Sequence, residues 1–198
     1  MAKQSKAKFR FNRAAFKPLP VKLEHMDIHL NFRPDGKVDG ESVVYATARR
    51  PLRTVTLDAC DLELRGVAWA VKGEECALAH DYRREARQLV VTLPRALRTG
   101  DSLILRLQAT CTPQEHILEG IYKDTTPAGC PQQYMSQCQQ WGFQRILPVW
   151  DDCTAKCTMR TTLEADARYT HLISNGNIDR VLNPDGKLWV EKFGVGKY

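Results

Sequence analysis

Leucines occupy alternate positions in Leu103-Ile104-Leu105-Arg106-Leu107-Gln108-Ala109, which puts Leu103, Leu105 and Leu107 on one face of an extended chain. That period predicts a half-buried strand. Val21 to Phe32, bracketed by Pro20 and Pro34 and followed by the turn Pro34-Asp35-Gly36, reads as another. Glu41 to Ala48 comes next, with Val43, Val44 and Tyr45 favouring extended structure. Further strands are predicted at Leu52–Leu57, Leu62–Leu64, Gln88–Leu93, Cys157–Leu163 and Tyr169–Ile173, with two more flanking Asn183-Pro184-Asp185-Gly186. No long segment keeps a helical period, and no internal repeat interrupts the series. The pattern predicts an all-β fold of antiparallel sheets, sandwich-like in its spacing of turns.

Charge changes the picture only at the N-terminal end. The chain of 198 residues has a formal charge of +6, yet Lys3, Lys6, Lys8, Arg10, Arg13, Lys17 and Lys22 all precede the first acidic residue, Glu24. Removing those seven cations leaves −1 for the rest. Residues 1–20 are therefore expected to form a basic, solvated and mobile arm, and residues 21–198 a nearly neutral β domain. Basicity confined to an arm argues against a nucleic-acid partner. No run approaches the roughly 18 apolar residues of a membrane-spanning helix, and no apolar stretch of a secretory leader follows the basic start. Seven scattered cysteines, an odd number, suit reduced thiols and a cytoplasmic location.

Three motifs suggest chemistry and then weaken on inspection. His25-Met26-Asp27-Ile28-His29 has the spacing of a zinc-protease helix but no glutamate after its first histidine. On the strand predicted there, four residues separate the two Cα atoms by roughly 13 Å, too far for chelation. Cys153-Thr154-Ala155-Lys156-Cys157 resembles half of a structural zinc site, but Cys130 and Cys138 do not supply the matching pair. Asp151-Asp152, between Trp150 and Cys153, reads as turn and capping carboxylates. The sequence therefore predicts no catalytic residue and no metal ligand in this chain.

Leu118 to Asn177 is different, rich in Trp, Cys, Gln and Tyr. It carries Leu118-Glu119-Gly120-Ile121-Tyr122, then Gln137-Cys138-Gln139-Gln140-Trp141-Gly142-Phe143-Gln144-Arg145, then Trp150-Asp151-Asp152 and Leu172-Ile173-Ser174-Asn175-Gly176-Asn177. Alternation along a strand would turn Gln137 and Gln139 to one side and Cys138 to the other. In this order the blocks resemble the M1 zinc aminopeptidases, in particular their bacterial aminopeptidase N branch. The run through Leu57, Asp58, Leu62 and Leu64 is similar to the opening domain of that family.

The resemblance implies a saddle-shaped β domain that precedes a zinc-binding catalytic domain, whose His-Glu-x-x-His motif does not occur here. It implies that Gln137 and Gln139 bind substrate, with Gln139 standing where the family usually has glutamate. The partners it implies are the downstream catalytic domain and peptides with a free N-terminus. Zinc is the cofactor of that other domain. The alternative is a stand-alone, non-catalytic β domain that binds peptides or proteins.

Overall fold

The computed structural model describes residues 17–71, 74–139, 141–169, 171–182 and 187–196, with backbone alone at residue 71, at 179–182 and at 187–196. Most of the expected basic arm, residues 1–16, and the turn at 183–186 lie outside the described residues. In chain order the strands are β1 (Val21–Phe32), β2 (Val38–Ala48), β3 (Leu52–Asp58), β4 (Glu63–Val71), β5 (Glu74–Ala77), β6 (His80–Arg83) and β7 (Gln88–Leu97). They continue with β8 (Ser102–Cys111), β9 (Gly120–Asp124), β10 (Gln133–Gln137), β11 (Cys157–Asp166), β12 (Asn177–Leu182) and β13 (Lys187–Gly196). A single 3-10 turn, Phe143–Arg145, is the helical element among the described residues.

Eight strands form one sheet in the order β12-β13-β11-β1-β2-β8-β4-β5. Its neighbours run antiparallel except β1 and β11, which pair in parallel from His25 opposite Thr158 to Phe32 opposite Ala165. β3, β7 and β6 make a three-stranded sheet, and β9 and β10 a two-stranded one. The larger two share a core: Leu103, Leu105 and Leu107 of β8 join Leu57 of β3 and Leu89 and Leu93 of β7 in one buried cluster. The all-β, largely antiparallel architecture expected from the alternation is therefore the one observed.

Local irregularities follow from the same need to bury one face. In β1, Val21 and Leu23 are buried, and so are Met26, Ile28 and Leu30, which breaks strict alternation. The pairing with β2 slips between Leu23 and His25, so Glu24 is an extra residue. A bulge of this kind re-aims the strand and returns its apolar side chains to the core.

The strand expected at Tyr169–Ile173 does not form: Tyr169 and residues 171–174 are irregular. Two local bonds divert the chain there, Tyr169 N–H to the Asp166 carbonyl at 3.0 Å and Arg168 N–H to Asp166 Oδ1 at 2.9 Å. They close a turn directly after β11, and Leu172 then packs against the core without strand pairing.

Because Leu105 is fully buried and Ile104 half-buried, Leu105→Ala should lower unfolding free energy by about 2–5 kcal/mol, and Ile104→Ala by clearly less. Urea denaturation of both variants measures the difference, and equal losses would contradict the assigned faces of β8.

Candidate functional site

β9 and β10 form an antiparallel pair in which Gln137 lies opposite Gly120. Gln137 is the last residue of β10. The expectation that Gln137 and Gln139 share one strand face needs correction, because the chain leaves the strand at Cys138 and Gln139 sits in a turn. The turn nevertheless brings the two amides together: Gln137 Nε2 donates to Gln139 Oε1 at 3.0 Å, and both side chains are exposed. Cys138 turns the other way, half-buried against the core. Burial, reinforced by the negative charge of Asp151, pushes its thiol up to about 11, so it stays protonated at neutral pH and is no nucleophile.

Two glycines bring three backbone segments into contact at this point. A Cβ on Gly142 would lie 2.2 Å from the Gln137 carbonyl oxygen, 2.9 Å from Cys138 Cα and 2.9 Å from Gly120 N. Gly120 itself adopts φ +68°, a left-handed conformation open to glycine, and a Cβ there would lie 2.8 Å from Arg145 Cβ. Between the amides and Gly142 stands Trp141, at φ 81° and 65% exposed. Its carbonyl accepts a bond from Gln144 Nε2 at 2.9 Å, which holds a conformation that a bulky residue rarely adopts.

The 3-10 turn behind the glycines is held by two carboxylates from distant parts of the chain. Asp151 Oδ2 accepts the Gln144 N–H at 3.0 Å, and Asp58 Oδ2 accepts the Asp151 N–H at 3.0 Å. Cys60 N–H completes the docking on the Gln144 carbonyl at 2.8 Å. Burial raises both the Asp58 and the Asp151 carboxyl above the ordinary range, against the bonds from backbone N–H groups that lower it. Arg145 bridges Glu119 at 2.9 Å and Asp61 at 2.5 Å. Against the pull of burial, the bonds from Arg145 and Cys60 hold the Asp61 carboxyl below its usual range.

Asp58, Asp61, Glu119, Gln144 and Arg145 were not singled out from sequence as a unit. Asp58 and Asp151 are 93 residues apart, and no local period connects them. The reading of Asp151-Asp152 as local turn and capping groups holds for Asp152, whose Oδ1 accepts the Thr154 N–H at 2.7 Å, but not for Asp151, which is buried and binds the Gln144 N–H seven residues back.

The other motifs lie elsewhere. His25 and His29 are on β1, where His25 contacts Thr158 and Asp27, and His29 contacts Glu164 at 3.1 Å across to β11. Cys153 is exposed in a turn and Cys157 buried at the start of β11. Among the described residues no three His, Cys, Asp or Glu side chains come together as a metal site.

Two variants test this construction. Gly142→Ala forces backbone atoms apart, so it should cost at least about 1–3 kcal/mol and shift the amide resonances of Gln137 and Gly120. For Asp151→Asn the expectation is a pH dependence. A carboxyl raised by the fold contributes stability that is full below its unfolded pKa and is lost as pH rises through the folded one. The asparagine variant should therefore compare best with the parent near pH 7 and lose ground as pH falls through the carboxylate range. Thermal melts from pH 3 to 7 measure this, and a gap independent of pH would contradict it.

With this geometry established, the comparisons with known proteins are specific. Residues 22–194 match the Peptidase M1 N-terminal domain family. Leukotriene A-4 hydrolase of Xenopus laevis is 24% identical over 178 residues, covering 88% of this chain and 29% of that protein. Probable M1 family aminopeptidase 1 of Encephalitozoon cuniculi (strain GB-M1) is 21% identical over 173 residues, 86% of this chain and 19% of its own length. This chain thus spans less than a third of either relative. The fold is similar to the crystal structure of the M1 zinc metallopeptidase from Deinococcus radiodurans, at a TM-score of 0.69 and 21% identity over 88% of this chain and 39% of that one. A mutant of that enzyme bound to a Tyr-Ser-Ala substrate superposes at a TM-score of 0.70 with 23% identity, over the same shares of the two chains. The match over residues 22–194 shows that this chain belongs to the Peptidase M1 N-terminal domain family.

Proposed function

We propose that this chain is the substrate-cleft and scaffolding domain of a zinc metallo-aminopeptidase, and that its Gln137–Gln139 corner receives the free amino group of a peptide. The observation that carries the reading is the exposed amide pair at the end of β10, fastened from behind by Gly142 and the 3-10 turn. Membership of a peptidase family and the limited share of its relatives' length support a partnership with a downstream catalytic domain. Hydrolysis, and the zinc that would polarise the scissile carbonyl and acidify its water, belong to that domain.

The role left to this chain is orientation. Gln137 spends an N–H on Gln139, which leaves the Gln137 carbonyl oxygen to accept from a substrate ammonium. A primary amide supplies no charge, so the corner selects a hydrogen-bond donor more strongly than it pairs a cation. A fixed corner also restricts how the N-terminal residue approaches the scissile bond.

The test uses the chain joined to its catalytic domain. Gln139→Glu adds a carboxylate where the amide stands and should lower KM for unblocked peptides roughly tenfold or less, since a charge-assisted bond is about twice as strong as a neutral one. Gln137→Ala should raise KM with little change in the melting temperature, because the side chain is exposed. N-acetylated peptides should show neither effect. Unchanged kinetics in both variants with melts preserved would make these residues ordinary surface glutamines.

A further inference from the structure

At the other end of β10 a cavity of about 590 Å³ opens between the β9–β10 hairpin and the end of β11. That volume is in the range of sites for small organic ligands, roughly 300–1,000 Å³. Three rings form one wall. Phe32 meets Tyr134 edge to face with centroids 5.7 Å apart, and Tyr134 meets Tyr169 the same way at 6.2 Å. Leu163, Ala165 and Leu172 supply aliphatic surface opposite. The hairpin side is pinned by Gln132, whose Nε2 donates to the Asp124 carbonyl at 2.9 Å and to its neighbour's carbonyl, that of Gln133, at 2.8 Å.

The charge of this cavity is one-sided. Its described lining includes Arg168 and His171 but no aspartate or glutamate. Arg33, Arg83, Arg95, Arg106 and Arg145 each hold a carboxylate within 3.1 Å. Arg168 has no carboxylate partner for its guanidinium among the described residues; instead the group lies over the Tyr169 ring, 5.2 Å from its centroid. The Asp166 carboxylate close by is bonded to the Arg168 backbone N–H. A guanidinium stacked on an aromatic face is already oriented, and its planar fork matches a carboxylate.

We propose that this cavity binds an apolar residue carrying a free carboxylate, the chemistry of a peptide's C-terminal residue with an aromatic or branched aliphatic side chain. The side chain stacks against Tyr134 and Tyr169 and fills the aliphatic side. The carboxylate bonds to Arg168 at the rim. A terminal amide fits the same space but gives up the ionic bond. The site is separate from the Gln137–Gln139 corner, so it stands or falls independently of the role assigned to that corner.

The experiment is calorimetric titration of the 198-residue chain with N-acetyl-phenylalanine, its primary amide, and octanoate. NMR shifts of Leu163 and Leu172 locate the site. The acid should bind saturably and roughly tenfold more tightly than the amide, the value of one charge-assisted bond. Arg168→Gln should erase that preference. Arg84→Gln, which alters a second arginine stacked on a tyrosine (Arg84 over Tyr82 at 4.8 Å), should leave it intact. No saturable binding, equal affinity for acid and amide, or a preference that survives Arg168→Gln would each overturn the proposal. Octanoate binding more tightly than N-acetyl-phenylalanine would overturn its commitment to a peptide terminus.

Discussion

Strands β1, β2 and β8 of the large sheet must send alternate side chains into a core shared with a second sheet, and the rest of the structure depends on that constraint. It sets the register of β8 against β2 and β4, because a slip of one residue would expose Leu103, Leu105 and Leu107 together. It also explains the bulge at Glu24, where β1 takes in one extra residue so that Met26, Ile28 and Leu30 face the same core as Val21 and Leu23. The parallel pairing of β1 with β11 extends the sheet beyond any local hairpin and brings the last third of the chain against the first strand.

The amide corner draws its rigidity from that framework. β3 ends in Asp58, whose backbone pairs with Val149 and whose carboxylate accepts the Asp151 N–H. Asp151 then fixes the 3-10 turn, and the turn presses Gly142 onto the end of β10. The ends of β9 and β10 and the start of the 3-10 turn thus converge on one backbone contact too close for any Cβ. The raised pKa values of buried Asp151 and half-buried Asp58 are the electrostatic cost of this arrangement, offset by the backbone N–H groups they satisfy.

β10 connects two environments of different chemistry. Its first residues, Gln133 and Tyr134, line an aromatic cavity with a cationic rim, and its last, Gln137, holds the amide pair. Four residues along a strand separate them by roughly 13 Å. A neutral hydrogen-bonding corner and a cationic apolar cavity complement opposite ends of a peptide's chemistry, an amine and a carboxylate.

By itself the sequence determined the β class, the buried face of β8, and the ordered blocks that identify the family. These are local properties: a period of two is written in neighbouring residues, and a motif in consecutive ones. The pairing of Gln137 with Gln139 was legible as a motif but not as a geometry. Alternation placed both on one strand, whereas the tertiary contact at Gly142 ends the strand and lets a turn bring the amides together. Tyr169–Ile173 has the composition of a strand, yet Asp166 bonds turn it away and its side chains go to the core and to the aromatic cavity. The link from Asp58 to Asp151 and the arginine held by Asp61 and Glu119 were beyond sequence reading for a simpler reason. A hydrogen bond between residues 93 positions apart leaves no local pattern, and only the folded sheets decide which side chains meet.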